Sequence, residues 1–149
     1  MKTTFLMLAA GAALFATSAL AEPYVDYTPL KGVWHVTRVK VEPNRVDDYV
    51  TGLKKLWAPG EEVAKKHGVI DSYAIRIKIN PADGQANVLL IEHIPNMAMM
   101  EVDQARDQAI EKEVLALTPK TQADAKVKEF DGYRTFVGDD YWTDIEFTK

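Results

Sequence analysis

Apolar positions recur along this chain with two different spacings, and each change of spacing marks an element. "GVWHVTRVKVEP" (32–43) is rich in β-formers. Trp34, Val36, Arg38 and Lys40 form one row of a strand, and His35, Thr37, Val39 and Val41 form the other. Pro43 ends it, and Asn44 is suited to cap the next helix. From Arg45 the spacing turns helical through Val46, Tyr49, Val50, Leu53, Leu56 and Trp57. Pro59-Gly60 breaks this helix after Trp57, and a second piece, "EEVAKKHG", runs to a glycine stop at Gly68. A strand over 69–79 then sets Tyr73, Ile75, Ile77 and Ile79 against Arg76 and Lys78. "NPADGQ" (80–85) has the residues of a hairpin loop, with an antiparallel partner strand over 86–94. A helix over about 97–116 carries an uneven stripe of Met99, Val102, Ala105 or Arg106, Ala109 and Val114. A further helix over 118–130 has Thr118 as its cap and Pro119 in its first position. A last strand covers 132–138, and the tail "DDYWTDIEF" extends it or wraps back over the body.

The order β-α-β-β-α-β predicts an α+β, ferredoxin-like domain with a four-stranded antiparallel sheet and helices on one face. Tyr73, Ile75, Ile77, Ile79, Leu89, Ile91, Val39 and Val41 are expected beneath the helices. Trp34, Val36, Arg38, Arg76, Lys78, Val88, Leu90 and Glu92 are expected on the bare face. That face is too apolar to be left to water, so it is predicted to be covered by a partner or a ligand.

The first residues change the picture of where this domain works. "MKTTFLMLAAGAALFATSALA" has Lys2, an apolar run from Phe5 to Phe15 and a small-residue close at Ala19-Leu20-Ala21. This is the pattern of a secretory signal peptide over 1–21, too short in its apolar run to anchor in a bilayer. No later stretch has the length of a membrane span, so no membrane insertion is expected. The expected organisation is a leader cleaved near Ala21, an extended N-terminal arm over 22–31 and one domain over 32–149, located in a periplasm or secreted. The net charge of −4 becomes −5 once Lys2 is lost, which offers nucleic-acid phosphates no electrostatic partner. There are no cysteines, so an exported chain would rest on its core or on association for stability.

Candidate chemistry is sparse. His35, His67 and His93 include no i, i+4 pair, and no cysteine can complete a metal site, so no metal is expected. Asp139, Asp140 and Asp144 lack the pattern of a calcium loop. There is no phosphate-binding glycine loop and no G-x-S-x-G elbow, and nothing calls for a cofactor. His35 and His93 are assigned to the helix-facing row of neighbouring strands. They are either a satisfied half-buried pair or the groups that move a proton. Arg38, Arg76 and Glu92 either neutralise one another or leave two guanidinium groups to hold a carboxylate or enolate. Trp34, Trp57 and Tyr73 are either core aromatics or a stacking platform for an aromatic ligand.

The β-α-β-β-α-β order, the helix broken near "LWAPG" and the half-apolar second face resemble the dimeric α/β-barrel superfamily. That group includes the antibiotic-biosynthesis-monooxygenase, EthD-like and NIPSNAP-like families. The resemblance covers about 32–140. It implies a homodimer whose two sheets close face to face into a barrel. Members range from cofactor-free monooxygenases and haem-degrading enzymes to proteins with no known activity, so fold alone does not assign chemistry. The expectation is an exported homodimer that binds a small aromatic or acidic organic molecule through Trp34, Arg38, Arg76 and Glu92, with Trp57 and Tyr73 as further contacts. A cofactor-independent monooxygenase or isomerase is the alternative, in which His35 or His93 handles the proton and the arginines stabilise an enolate. A haem-binding or haem-degrading protein is a third.

Overall fold

The computed structural model, which describes residues 20–80, 82 and 84–149, is organised around one central strand. The expected leader, 1–21, lies outside the described residues except for its last two positions. Strand β1 (Tyr27–Pro29) precedes the central β2 (Val33–Val41). Helices α1 (Val46–Leu56) and α2 (Ala58–Lys66) lead to β3 (Ser72–Ile77), and a hairpin leads on to β4 (Val88–Ile94). Helices α3 (Gln104–Leu117) and α4 (Lys120–Asp131) lead to β5 (Arg134–Trp142), and β6 (Ile145–Phe147) closes the chain.

The main sheet has the order β3-β4-β2-β5 with every neighbouring pair antiparallel. β2 and β3 are therefore parallel with β4 inserted between them, and β4 and β5 are parallel with β2 between them. Two split βαβ units of this kind make the ferredoxin-like fold.

The core forms where α1 and α4 cross the sheet. Val39 and Val41 of β2, Val88 and Leu90 of β4, Tyr49 and Leu53 of α1, Phe130 of α4 and Tyr133 make one buried cluster. Burial of each of these side chains contributes on the order of 2 kcal/mol. Gly52 lets the two helices approach, since a Cβ there would stand 2.5 Å from Cζ of Phe130. Buried Asn87 finishes the sheet like an extra strand residue. Its Oδ1 accepts from the Val41 N–H at 2.8 Å, and its Nδ2 donates to the Val41 carbonyl at 2.8 Å.

Several expected boundaries move. The 69–79 strand narrows to Ser72–Ile77, which leaves Ile79 98% exposed past its end and Ile77 half exposed at its edge, neither under a helix. Pro43–Arg45 forms a 3-10 turn, and Asn44 is not the cap of α1. Met97–Met100 is likewise a 3-10 turn, capped by Asn96, and α3 begins only after Asp103, whose carboxylate accepts from the Arg106 N–H at 3.0 Å. Thr118 ends α3, and Pro119 stands at the cap of α4. The tail does both things expected of it. It extends β5 to Trp142, and then β6 turns back to pair with β1, so the 22–31 arm is pinned by the C-terminal residues.

Candidate functional site

Alternation along the strands sorts every sheet residue onto one of two faces, and the pairings settle which. Val39 faces the helices and lies opposite Val88, which lies opposite Ile77. Val88, Leu90 and Glu92 therefore face the helices, and Leu89, Ile91 and His93 face away. This reverses the expected parity of β4. The run Val88-Leu89-Leu90-Ile91 is apolar at every position, so it contains no alternation from which to read a face. The reversal separates two expected groupings. Glu92 is not with Arg38 and Arg76, and His35 and His93 are not on one face.

On the helix side, the sheet turns polar beyond the core. One row runs Tyr73, Glu92, His35, Tyr141 across all four strands. Nδ1 of His35 is 3.1 Å from Oε2 of Glu92, and its Nε2 is 3.4 Å from Oδ1 of Asp139. Its ring stacks on Tyr141 with centroids 4.8 Å apart. Asp139 also accepts from Thr37 Oγ1 at 2.6 Å. Trp57 packs edge-on against Tyr73, whose hydroxyl donates to Glu62 at 2.7 Å. Trp57 and Tyr73 therefore belong to this side and share no pocket with Trp34. Glu61, in the first turn of α2, faces the same region. Burial pushes its carboxyl up to about 8, with the Glu92 carboxylate adding to the shift. Both nitrogens of His35 point at carboxylates, which fixes the ring in place. Among the described residues, no group of three such side chains is placed to hold a metal ion.

The open face carries no helix. Its rows are Arg76, Leu89, Arg38 and Gly138, then Ala74, Ile91, Val36 and Asp140, then Ser72, His93, Trp34 and Trp142. A groove of about 550 Å³ is lined by Trp34, Val36, Arg38, Arg76, Ile91 and Trp142, among others. The structure thus brings together three of the expected ligand residues, Trp34, Arg38 and Arg76. Trp142 and Asp140, which extend the site, are reached only because β5 runs past residue 138. Continuing every second residue from Gly138 into the tail would have found them.

Arg38 owes its position to Gly138, which sits beside an irregularity in the β2–β5 pairing with φ at +159°. A Cβ at Gly138 would stand 2.8 Å from Nη2 of Arg38, so the guanidinium lies across bare backbone. Nε of Arg38 is 2.7 Å from Oδ2 of Asp140, an ion pair. Nη2 of Arg38 also donates to Oδ1 of Asp140 at 3.5 Å, so one edge of this guanidinium is already engaged by a carboxylate. Arg76 is exposed and has no carboxylate within 4.0 Å among the described residues. At the other end Trp34 packs on His93 with centroids 4.5 Å apart, and its indole N–H donates to Asp144 at 2.9 Å. His93 is held by Asp71 at 2.8 Å through Nδ1. Its Nε2 edge lies against Gly32, where a Cβ would stand 2.8 Å away. Neither nitrogen of His93 is directed into the groove.

No family model matches this chain, and no curated protein does. Solved structures similar to it include HapK from Hahella chejuensis. The two share 8% identity and a TM-score of 0.43, over 74% of this chain and 90% of that one. A dimeric ferredoxin-like protein of unknown function from Thermobifida fusca is similar at 12% identity and TM-score 0.40, over 77% and 91%. A NIPSNAP family protein of unknown function from Agrobacterium tumefaciens is similar at 11% identity and TM-score 0.44, over 83% and 95%. The likeness is one of fold, and the fold itself rests on the strand order and the two crossovers of the main sheet. No helix among the described residues is long and apolar enough to cross a membrane.

Proposed function

We propose that this chain is an exported protein that pairs through its open sheet face with a second copy and binds a small organic acid between the two sheets. One observation carries this reading. The uncovered face joins an apolar floor of Val36, Ile91 and Leu89 to two guanidinium groups, of which Arg76 has no carboxylate within 4.0 Å among the described residues. Exposed apolar surface of that kind is covered in a working protein, and bidentate cations in apolar surroundings select carboxylates. Export rests on the leader pattern of residues 1–21.

Native mass spectrometry of the protein purified from its own cells tests all three parts. The expected species is a dimer whose subunits begin after Ala21 and which carries extra mass released on denaturation. A monomer would overturn the pairing, an intact leader would overturn export, and a clean dimer would overturn tight ligand binding.

The polar row on the helix side favours a second reading, an enzyme that moves a proton through His35 and Glu92. Its test uses the compound released from the dimer, incubated in excess with wild type and with His35→Gln. A change in the compound's mass with wild type alone supports catalysis, and no change with either removes it.

A further inference from the structure

We infer that the ligand of the open-face groove has two ends, an aromatic ring seated at Trp34 and Trp142 and a carboxylate held by Arg38 and Arg76, joined by an aliphatic spacer. This rests on the reading of the groove as a ligand site, and it names the chemical class.

The division of the groove follows from its rows. Trp34 and Arg38 lie four residues apart on β2, so their Cα atoms are separated by about 13 Å. At the first end, Trp34 and Trp142 are direct cross-strand partners, and both line the groove. Trp34 leans onto His93 instead of onto Trp142, and Trp142 is 60% exposed. Two neighbouring indole surfaces suit a flat ring.

The middle is Val36, Ile91 and Ala74, none of which has a side-chain donor or acceptor. Only a spacer without polar atoms crosses it without losing hydrogen bonds to water. Asp140 stands at the β5 border of this row and is engaged with Arg38.

At the second end the cations outnumber the acids among the described residues. A continuous extension of the groove is lined by Arg38, Arg76, Lys78 and Gln85. Lys78 donates to Gln85 at 2.5 Å and has no carboxylate within 4.0 Å among the described residues, while Asp140 offsets Arg38. Arg38 is engaged on one side by Asp140, and Arg76 supplies an exposed fork on the other side of Leu89. A carboxylate between them pairs with Arg76 and meets the positive side of Arg38 that Asp140 does not cover, and a charge-assisted bond is among the stronger ones. A polyanion such as a phosphate monoester would fit the charge but not the apolar middle and the indole end.

The test is a tryptophan-fluorescence titration of the full-chain protein with benzoate, 6-phenylhexanoate and 6-phenylhexan-1-ol. The acid with the spacer is expected to bind at least tenfold more tightly than either of the others. Arg76→Ala is expected to bring it down to the affinity of the alcohol and to leave the alcohol unchanged. Arg76→Gln repeats the measurement if the alanine variant loses its far-ultraviolet circular dichroism. Trp142→Ala should weaken acid and alcohol alike. Benzoate binding as tightly as 6-phenylhexanoate, or an equal loss for acid and alcohol in Arg76→Ala, overturns the two-ended ligand while leaving the groove as a site. No binding of any probe at millimolar concentration overturns both.

Discussion

The two faces of the main sheet are made by the same four strands, yet apolar and polar residues are distributed on them in opposite senses. On the helix side, apolar residues stop where α1 and α4 stop, and a polar row of Tyr73, Glu92, His35 and Tyr141 continues towards solvent. Cover and composition agree there. On the open face the apolar floor of Val36, Ile91 and Leu89 lies where the chain provides no cover, and the cations gather at one end. Folding of the single chain explains the first arrangement and not the second. A face whose composition disagrees with its environment is where an absent companion is to be sought.

The largest effect that tests this contrast is Phe130→Ala. Phe130 is fully buried between α1, α4 and the sheet, so its loss is expected to cost about 4 kcal/mol. Trp142→Ala, on the open face, should cost under about 0.5 kcal/mol in the unliganded single chain. Chemical denaturation compares them, and equal losses would mean that the open face is already part of the core. Next comes Asn87→Ala, which leaves the buried N–H and carbonyl of Val41 without partners and should cost about 2 kcal/mol. Asn87→Asp should recover the acceptor half only.

A smaller effect depends on pH. Folded Glu61 keeps its proton to about pH 8, whereas an ordinary glutamate releases it near 4.5. Between those values the folded chain binds more protons than the unfolded one, so stability falls as pH rises through the window. Glu61→Gln removes this loss. Its melting temperature relative to wild type should rise from pH 5 to pH 9 by a few degrees, read by calorimetry. A gap that stays constant with pH would show that Glu61 is solvated and that the polar row is open to water. The smallest effect belongs to Arg76→Ala, expected to change stability by less than about 0.5 kcal/mol while acting on ligand binding.

The alternation of Tyr73 and Ile75 against Arg76 was enough to give β3 and its hairpin, and the helix breaks at Trp57 as expected, although Pro59-Gly60 lie in the first turn of α2 and not between the two pieces. β4 shows the limit of such reasoning. A run that is apolar on both faces reveals that both faces are dry and conceals which is which. Glu92 and His93 exchanged faces as a result, and with them the two candidate sites. The start of α3 was legible in principle, because Asp103 is a good cap. The methionines before it also favour helix, and only the backbone turn at Met97–Met100 separates the two. Glu61 was missed because its setting comes first from burial in the tertiary fold and then from the charge of Glu92, a residue far along the chain. The pairing of β1 with β6 has no local signal at all, since it joins residues 27–29 to 145–147.

The central place of β2 also decides when the fold can be completed. This strand is synthesised well before one of its two neighbours, β5. Until residues 134–142 exist, one whole edge of β2 offers unpaired N–H and C=O groups to any passing strand. The contacts that close this edge span about a hundred residues, which makes them slow to form. A nascent copy therefore spends its synthesis open along its own centre, and any helper that keeps it from aggregating must hold it there until the C-terminal strand arrives.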